Sequence, residues 1–169
     1  MTTPTLLHHL FKYKAWANEE LFSQVEKLDA EDFPTQRHRA VRLLNHVYVV
    51  DRMFAAHLSG AIHGYTATNT VETPSLAELR AAVAELDAWY IEYVRNLPVD
   101  RLVEPVDFVF SDGGNGRMSR EEMLAHVATH GGYHRGAVGE LLVVGSIAAP
   151  RDIFTRYLHE AEPERRTRS

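Results

Sequence analysis

Three histidines spaced four residues apart constrain this sequence more than any other feature. His126, His130 and His134 form a histidine series within the run LAHVATHGGYHRG, which predicts an α-helix because residues four apart share one helix face. Neighbouring members of the series stand about 6 Å apart along a helix axis, and two imidazoles at that spacing can bind one ion. The outer two stand about 12 Å apart, which is too far for all three to bind one ion. We therefore expect two ligands from this helix and a third from another.

The best candidate for the third ligand is His46, near the middle of an earlier helical pattern. Spacing alone does not separate the pair His126/His130 from the pair His130/His134. Glycines around the second pair weaken the helix by about 1 kcal/mol each relative to alanine, which suits a place where a helix or ligand approaches closely. We favour His130 and His134, with His126 as a buried neighbour that hydrogen-bonds nearby. Three neutral imidazoles suit zinc or nickel, with water completing the coordination.

These residues also have a purely structural interpretation. With ten histidines in the chain, one pair four residues apart can arise by chance, so spacing alone favours neither metal binding nor a structural role. Arg135 is either a surface residue or faces the metal pocket. Asp51 either supports the site or acts as a base, unless it is a surface or capping residue. No His-Glu-x-x-His pattern occurs, so a metal here would act by generating hydroxide or thiolate or by polarising a substrate oxygen.

Composition excludes several classes of protein. The 169 residues predict one domain, 1–169, with a frayed tail after about residue 160. The net charge of −5 argues against a general nucleic-acid partner, and the absence of cysteine excludes disulfides and cysteine-based zinc sites. No apolar run approaches the roughly 20 residues of a membrane span. No signal-peptide pattern is seen at the N-terminus, so we expect a cytoplasmic protein without a membrane partner.

Four segments with apolar residues at helical spacing predict four long helices. They cover about residues 4–28, Arg39–Ser59, Ser75–Asn96 and Ser119–Val144. Thr3 and Pro4 predict the first start, because a capping hydroxyl precedes a proline whose missing N–H costs nothing there. The third and fourth helices each open with the capping-box pattern Ser-x-x-Glu.

The connections between these helices complete the predicted architecture. Residues 29–35 are expected to form a loop around Pro34, and the long link 60–74 suits a crossover connection. Alternating apolar residues followed by a glycine-rich turn predict a small hairpin over about 103–118, and a short helix is expected over about 151–160. The sequence thus predicts an all-α four-helix bundle with a long crossover between helices 2 and 3, a small hairpin before helix 4 and a short C-terminal helix. Such bundles commonly build metal sites from facing helices.

Three stretches of the chain together resemble the DinB/YfiT superfamily of metal-binding four-helix-bundle proteins, the damage-inducible DinB family. They are YKAWANEELF, LLNHVYVVDRMF and LAHVATHGGYHRG. The resemblance extends over about residues 4–160 and includes the long link and the hairpin. It implies a divalent ion, zinc or nickel, held by one histidine of helix 2 and two of helix 4. By position these are His46, His130 and His134.

The resemblance also implies partners and a reaction. Members of the family are often homodimers, and relatives include thiol-dependent S-transferases and an isomerase in which the metal activates a low-molecular-weight thiol. It therefore implies a metal-dependent enzyme that activates a thiol or water and acts on a small molecule, as an S-transferase or hydrolase. The alternative is a non-catalytic, metal-binding stress-response homodimer. The chain departs from many relatives at Ala137, where they carry glutamine.

Overall fold

A computed structural model describes residues 6–166 of the chain. Four long helices carry a two-stranded antiparallel hairpin before the last of them, followed by a short C-terminal helix. The elements are α1 (Leu6–Val25), α2 (Pro34–Ser59), α3 (Leu76–Asn96), β1 (Pro105–Val109), β2 (Asn115–Ser119), α4 (Arg120–Val144) and α5 (Phe154–Ala161). Short 3-10 turns lie at Val99–Arg101 and Pro163–Arg166. The predicted all-α bundle with its hairpin is confirmed.

Local capping explains where α3 and α4 begin. Both predicted capping boxes are formed, with Ser75 and Ser119 each exchanging hydrogen bonds with the glutamate three residues later. The expected loop over 29–35 is wrong at its end, since α2 already begins at Pro34. Proline is tolerated there because a first-turn N–H has no partner within the helix. The start predicted at Thr3 and Pro4 lies outside the described residues.

The link between α2 and α3 runs back along α2. Arg42, in the third turn of α2, donates to the carbonyl oxygen of Thr70 at 2.7 Å, so the end of the link lies beside the first turns of the helix. As a consequence α3 starts near the start of α2 and runs parallel to it. The link is therefore the predicted crossover. Around it α2 packs mainly on α4, and α1 packs mainly on α3.

Two apolar clusters fill the bundle, one towards each end. The cluster on the hairpin side includes Phe11, Phe54 and Tyr90, and the cluster on the opposite side includes Leu21, Leu44 and Leu142. Buried polar and charged side chains lie between them along the helices: Lys14, Asn18, Asp51, Asp87 and Arg135. We call Lys14, Asp51, Asp87 and Arg135 the charged layer.

The hairpin closes one end of the bundle. Phe108 of β1 pairs with Gly116 of β2, and its buried ring lies against Phe54 and His57 of α2. A Cβ at position 116 would stand 2.4 Å from the Phe108 ring, so only glycine fits opposite this side chain. Within residues 6–166, no helix is both long and apolar enough to cross a membrane.

Candidate metal centre

Three imidazoles from two helices converge on the side of the bundle where α2 meets α4. The Nε2 atoms of His46 and His130 lie 3.1 Å apart. The ring of His134 is centred 4.8 Å from that of His46 and 4.5 Å from that of His130. One ligand atom from each lies within 4.8 Å of the others, so the group can hold a metal ion. For comparison, two nitrogens on one tetrahedral zinc lie about 3.3 Å apart. We call these three residues the histidine centre.

The orientation of His46 is set by the link. Its Nδ1 lies 2.8 Å from the carbonyl oxygen of Thr68. Because a carbonyl can only accept, Nδ1 carries the proton and the lone pair is left on Nε2, which faces His130. A metal-binding histidine is commonly held by such a bond from its second nitrogen to a carbonyl or carboxylate. The crossover thus supplies a contact that orders the candidate ligand.

Asn45, the residue before His46, fastens the link at this level. Its buried amide donates to Asn69 Oδ1 at 2.5 Å and to Thr70 Oγ1 at 2.6 Å. Asn69 in turn donates to the backbone carbonyl of Arg42 at 3.0 Å. These contacts give an otherwise irregular link a defined path past His46.

The imidazoles on α4 are neutral over the physiological pH range. Burial lowers the pKa of His130 to about 3, and the neighbouring His134 and His46 act in the same direction. The pKa of His134 is also lowered, mainly by burial and then by His46. Neutral imidazole is the form that offers a lone pair to a cation. The donor set therefore suits a divalent ion.

Two nitrogens of the centre face the interior without a partner. Among residues 6–166, the Nδ1 atoms of His130 and His134 are buried and make no hydrogen bond, and the same holds for Asp51 Oδ1. An unpaired buried polar atom is unfavourable, so such atoms in one region point to a polar function there. A metal on the other nitrogen of each imidazole fits this arrangement, because it leaves Nδ1 protonated and turned away from the ion.

His126 does not behave as predicted. It is half-buried, and its ring makes no hydrogen bond to any residue within 6–166. It stacks instead on Phe54 at 4.6 Å and on His130 at 5.3 Å between ring centroids. The expectation of a nearby hydrogen bond is wrong because the rings against which it packs are an aryl group and another imidazole. His126 therefore flanks the histidine centre through ring stacking.

Asp51 is neither a surface nor a capping residue. It is buried and lies in the charged layer, where its Oδ2 is 2.8 Å from Lys14 Nζ. The same lysine lies 2.6 Å from Asp87 Oδ1, and Asn18 donates to Asp87 Oδ2 at 2.7 Å. Burial raises the pKa of Asp51 to about 6, and the nearby Lys14 opposes that rise. Sequence reasoning missed this cluster, although Lys14 stands three residues after Phe11 on the apolar face of helix 1.

Arg135 is buried and faces α1, so neither predicted position is right. Its guanidinium donates to Asp152 Oδ2 at 2.7 Å and to Asn18 Oδ1 at 3.3 Å. Gly131 makes room for this layer, since a Cβ there would stand 3.2 Å from Arg135 Nη1 and 3.4 Å from Lys14 Cε. The close approach expected at the glycines of helix 4 is thus found at Gly131, where the neighbours are charged side chains.

A crossover helical bundle that gathers three histidines from α2 and α4 defines the class of the protein, and comparison with known proteins gives the family. The chain matches the DinB family over residues 1–165, and it belongs to that family. It is 27% identical over 172 residues to the protein named Protein DinB of Bacillus subtilis (strain 168), covering 92% of this chain and 95% of that relative. No solved structure matches the chain.

Proposed function

We propose that this protein is a metal-dependent enzyme of the DinB family that uses zinc or nickel to activate a thiol or water. In this proposal His46, His130 and His134 hold the ion, and the reaction is an S-transfer or a hydrolysis on a small molecule. A low-molecular-weight thiol is the proposed co-substrate for the transferase. The observation that carries the proposal is the convergence of three imidazoles, from two separate helices, on one point.

The residues of the histidine centre are suited to holding an ion that activates a thiol or water. A divalent ion bound there would act as a Lewis acid that favours the deprotonated form of a thiol or water. Neutral imidazoles leave the full charge of the ion uncompensated, whereas carboxylate ligands would reduce it. The three side chains are only half-buried, so a small molecule can approach from solvent. Thr68 holds His46 in the tautomer that a ligand requires.

Metal analysis of purified protein tests the ligand set. We expect about one zinc or nickel per chain in the wild type and its loss in His130→Ala. His126→Ala is the matched control, because it removes a neighbouring histidine of the same series that stacks on the centre without belonging to it. The metal should also raise the stability of the wild type, by about 2.7 kcal/mol at a free concentration one hundred times Kd. Retention of the metal by His130→Ala would overturn the ligand assignment.

The second candidate is a non-catalytic metal-binding homodimer with a stress-response role. Tyr133 favours it, since this side chain is 77% exposed and stands edge-on to His134 at 5.1 Å, where a second subunit could cover it. Activity measurements on metal-loaded protein, with electrophiles and a panel of thiols, separate the two candidates. Turnover that disappears in His130→Ala supports the enzyme. A dimer that shows no turnover and dissociates on Tyr133→Glu supports the alternative.

A further inference from the structure

We propose that Asp51 is a positioning residue for His130: its free Oδ1 accepts the Nδ1–H of that imidazole when Nε2 holds the ion. The inference rests on the proposed function and extends it to the layer behind the ligands. It concerns a residue that does not touch the ion. Its action is to fix the tautomer and the ring orientation of a ligand that does.

The first observation is a coincidence of unpaired atoms. Within residues 6–166, the buried side-chain nitrogens and oxygens without a hydrogen-bond partner are Asp51 Oδ1, His130 Nδ1 and His134 Nδ1. One is a carboxylate oxygen on α2, and two are imidazole nitrogens on α4. These two helices pack directly against each other. One possible acceptor and two possible donors are therefore left unpaired on two helices that pack against each other.

The second observation is the direction in which His130 points. Its Nε2 lies 3.1 Å from His46 Nε2, so this is the nitrogen that an ion between the two rings would use. Once Nε2 gives its lone pair to a cation, the proton of neutral imidazole must reside on Nδ1. A buried N–H then requires an acceptor, and metal-binding histidines almost always find a carboxylate, a carbonyl or water.

Lys14 links Asp51 to the turn of α4 that carries His130. Its Nζ lies 2.8 Å from Asp51 Oδ2, and its Cε lies beside Gly131, the residue that follows His130. The carboxylate therefore sits at the level of His130, which makes this histidine the better partner for Oδ1.

Asp87 supplies an internal comparison. It is the second carboxylate bound to Lys14, at 2.6 Å, and it is also buried. Both of its oxygens are occupied, one by Lys14 and the other by Asn18 at 2.7 Å. Asp87 shares with Asp51 the burial, the charge and the lysine partner, but it has no free oxygen to offer a ligand.

The test compares Asp51→Asn with Asp87→Asn in the full chain. Each variant removes one carboxylate charge from Lys14, and we expect both to unfold at lower urea concentration than the wild type. Only Asp51→Asn should weaken zinc binding, by about 10–100-fold in Kd measured by chelator competition, as when an outer hydrogen-bond partner of a ligand is lost. Equal zinc affinity in the two variants would overturn the inference while leaving the proposed ligand set intact.

A spectroscopic measurement on the wild type covers the case in which Asp51→Asn does not fold. Nitrogen-15 NMR of the zinc-loaded protein should show His130 protonated at Nδ1, with a downfield proton that exchanges slowly with water. A His130 proton that exchanges rapidly would overturn the role of Asp51. If the wild type binds no zinc or nickel at all, the proposed function fails, and this inference fails with it.

Discussion

Two polar regions lie side by side on neighbouring faces of α4, and they are built in opposite ways. The histidine centre, formed by His46, His130 and His134, lies between α2 and α4, is half-buried and offers only imidazole nitrogens. The charged layer, to which Lys14 and Arg135 belong, faces α1, is buried and has its cations fully paired. The histidine centre offers imidazole nitrogens to a metal ion, whereas the cations of the charged layer are already paired with carboxylates of the protein.

This difference separates binding from stability. A buried cation must find its counter-charges inside the protein, because removing it from water is otherwise prohibitive. Lys14 therefore ties α1 to α2 through Asp51 and to α3 through Asp87. The half-buried imidazoles of the histidine centre do not need such counter-charges inside the protein. We expect changes in the charged layer to lower stability first, and changes in the histidine centre to lower metal affinity first.

The largest effect is predicted for Lys14→Met, which keeps an unbranched side chain but removes the charge. Two buried carboxylates then lose their shared cation. Removing one partner of a buried ion pair typically lowers the free energy of unfolding by about 3–5 kcal/mol. Urea unfolding of the metal-free protein measures the loss. Arg80→Ala is the control, because Arg80 also bridges two carboxylates, Glu19 and Glu26, but does so at the surface.

The control should show little loss, since exposed ion pairs are screened by water and salt. If Lys14→Met were as stable as Arg80→Ala, the charged layer would not be the region that holds the helices together. The expectation that changes in the charged layer lower stability first would then be wrong.

A smaller loss of stability is predicted when the pH is lowered. The pKa of His130 is about 3 in the folded protein and near 6.5 when unfolded, so the unfolded state binds a proton first as the pH falls. The contribution of His130 to the free energy of unfolding is fully present above pH 6.5 and is lost as the pH falls towards 3. Because the ring is half-exposed, screening limits this contribution to about 1–2 kcal/mol. Metal-free wild type should lose more stability between pH 7 and 4.5 than His130→Gln.

Asp51 acts in the opposite direction over part of this range. Its pKa is raised to about 6 from an ordinary 3.8, so the folded state takes up this proton first and gains stability as the pH falls between those values. Asp51 is present in both proteins, so the difference between their pH curves reports the removal of the His130 imidazole. Parallel curves would show that His130 is protonated as easily as an exposed imidazole.

The sequence predicted the bundle and the members of the histidine centre for different reasons. Helical periodicity and the capping boxes at Ser75 and Ser119 depend on neighbouring residues, so the four helices could be placed without tertiary information. We expected two ligands from α4 because residues four apart on a helix can bind one ion, whereas residues eight apart are too distant. The choice of His130 and His134 over His126 rested on glycines, and on the resemblance to the DinB family.

What could not be predicted depends on contacts between distant segments. The partners of Lys14 lie on α2 and α3, and those of Arg135 lie on α1 and before α5, so no local pattern reveals them. Gly131 was a signal of close approach, but its neighbours proved to be the charged layer. The contact between Thr68 and His46 could not be predicted either, because a polar link of this length has no periodicity that fixes its path.

The smallest predicted effect tests that link. Asn45→Ala removes the bonds to Asn69 and Thr70, whose side chains lie near solvent and can be rehydrated, so we expect a loss of about 1 kcal/mol in stability. The freed link should hold Thr68 less firmly against His46, and zinc affinity should fall by a few-fold, less than for any ligand substitution. Chelator competition and urea unfolding on the same samples give both values. An unchanged zinc affinity together with the loss of stability would show that the crossover only closes the bundle, and that His46 is oriented by α2 and α4 alone.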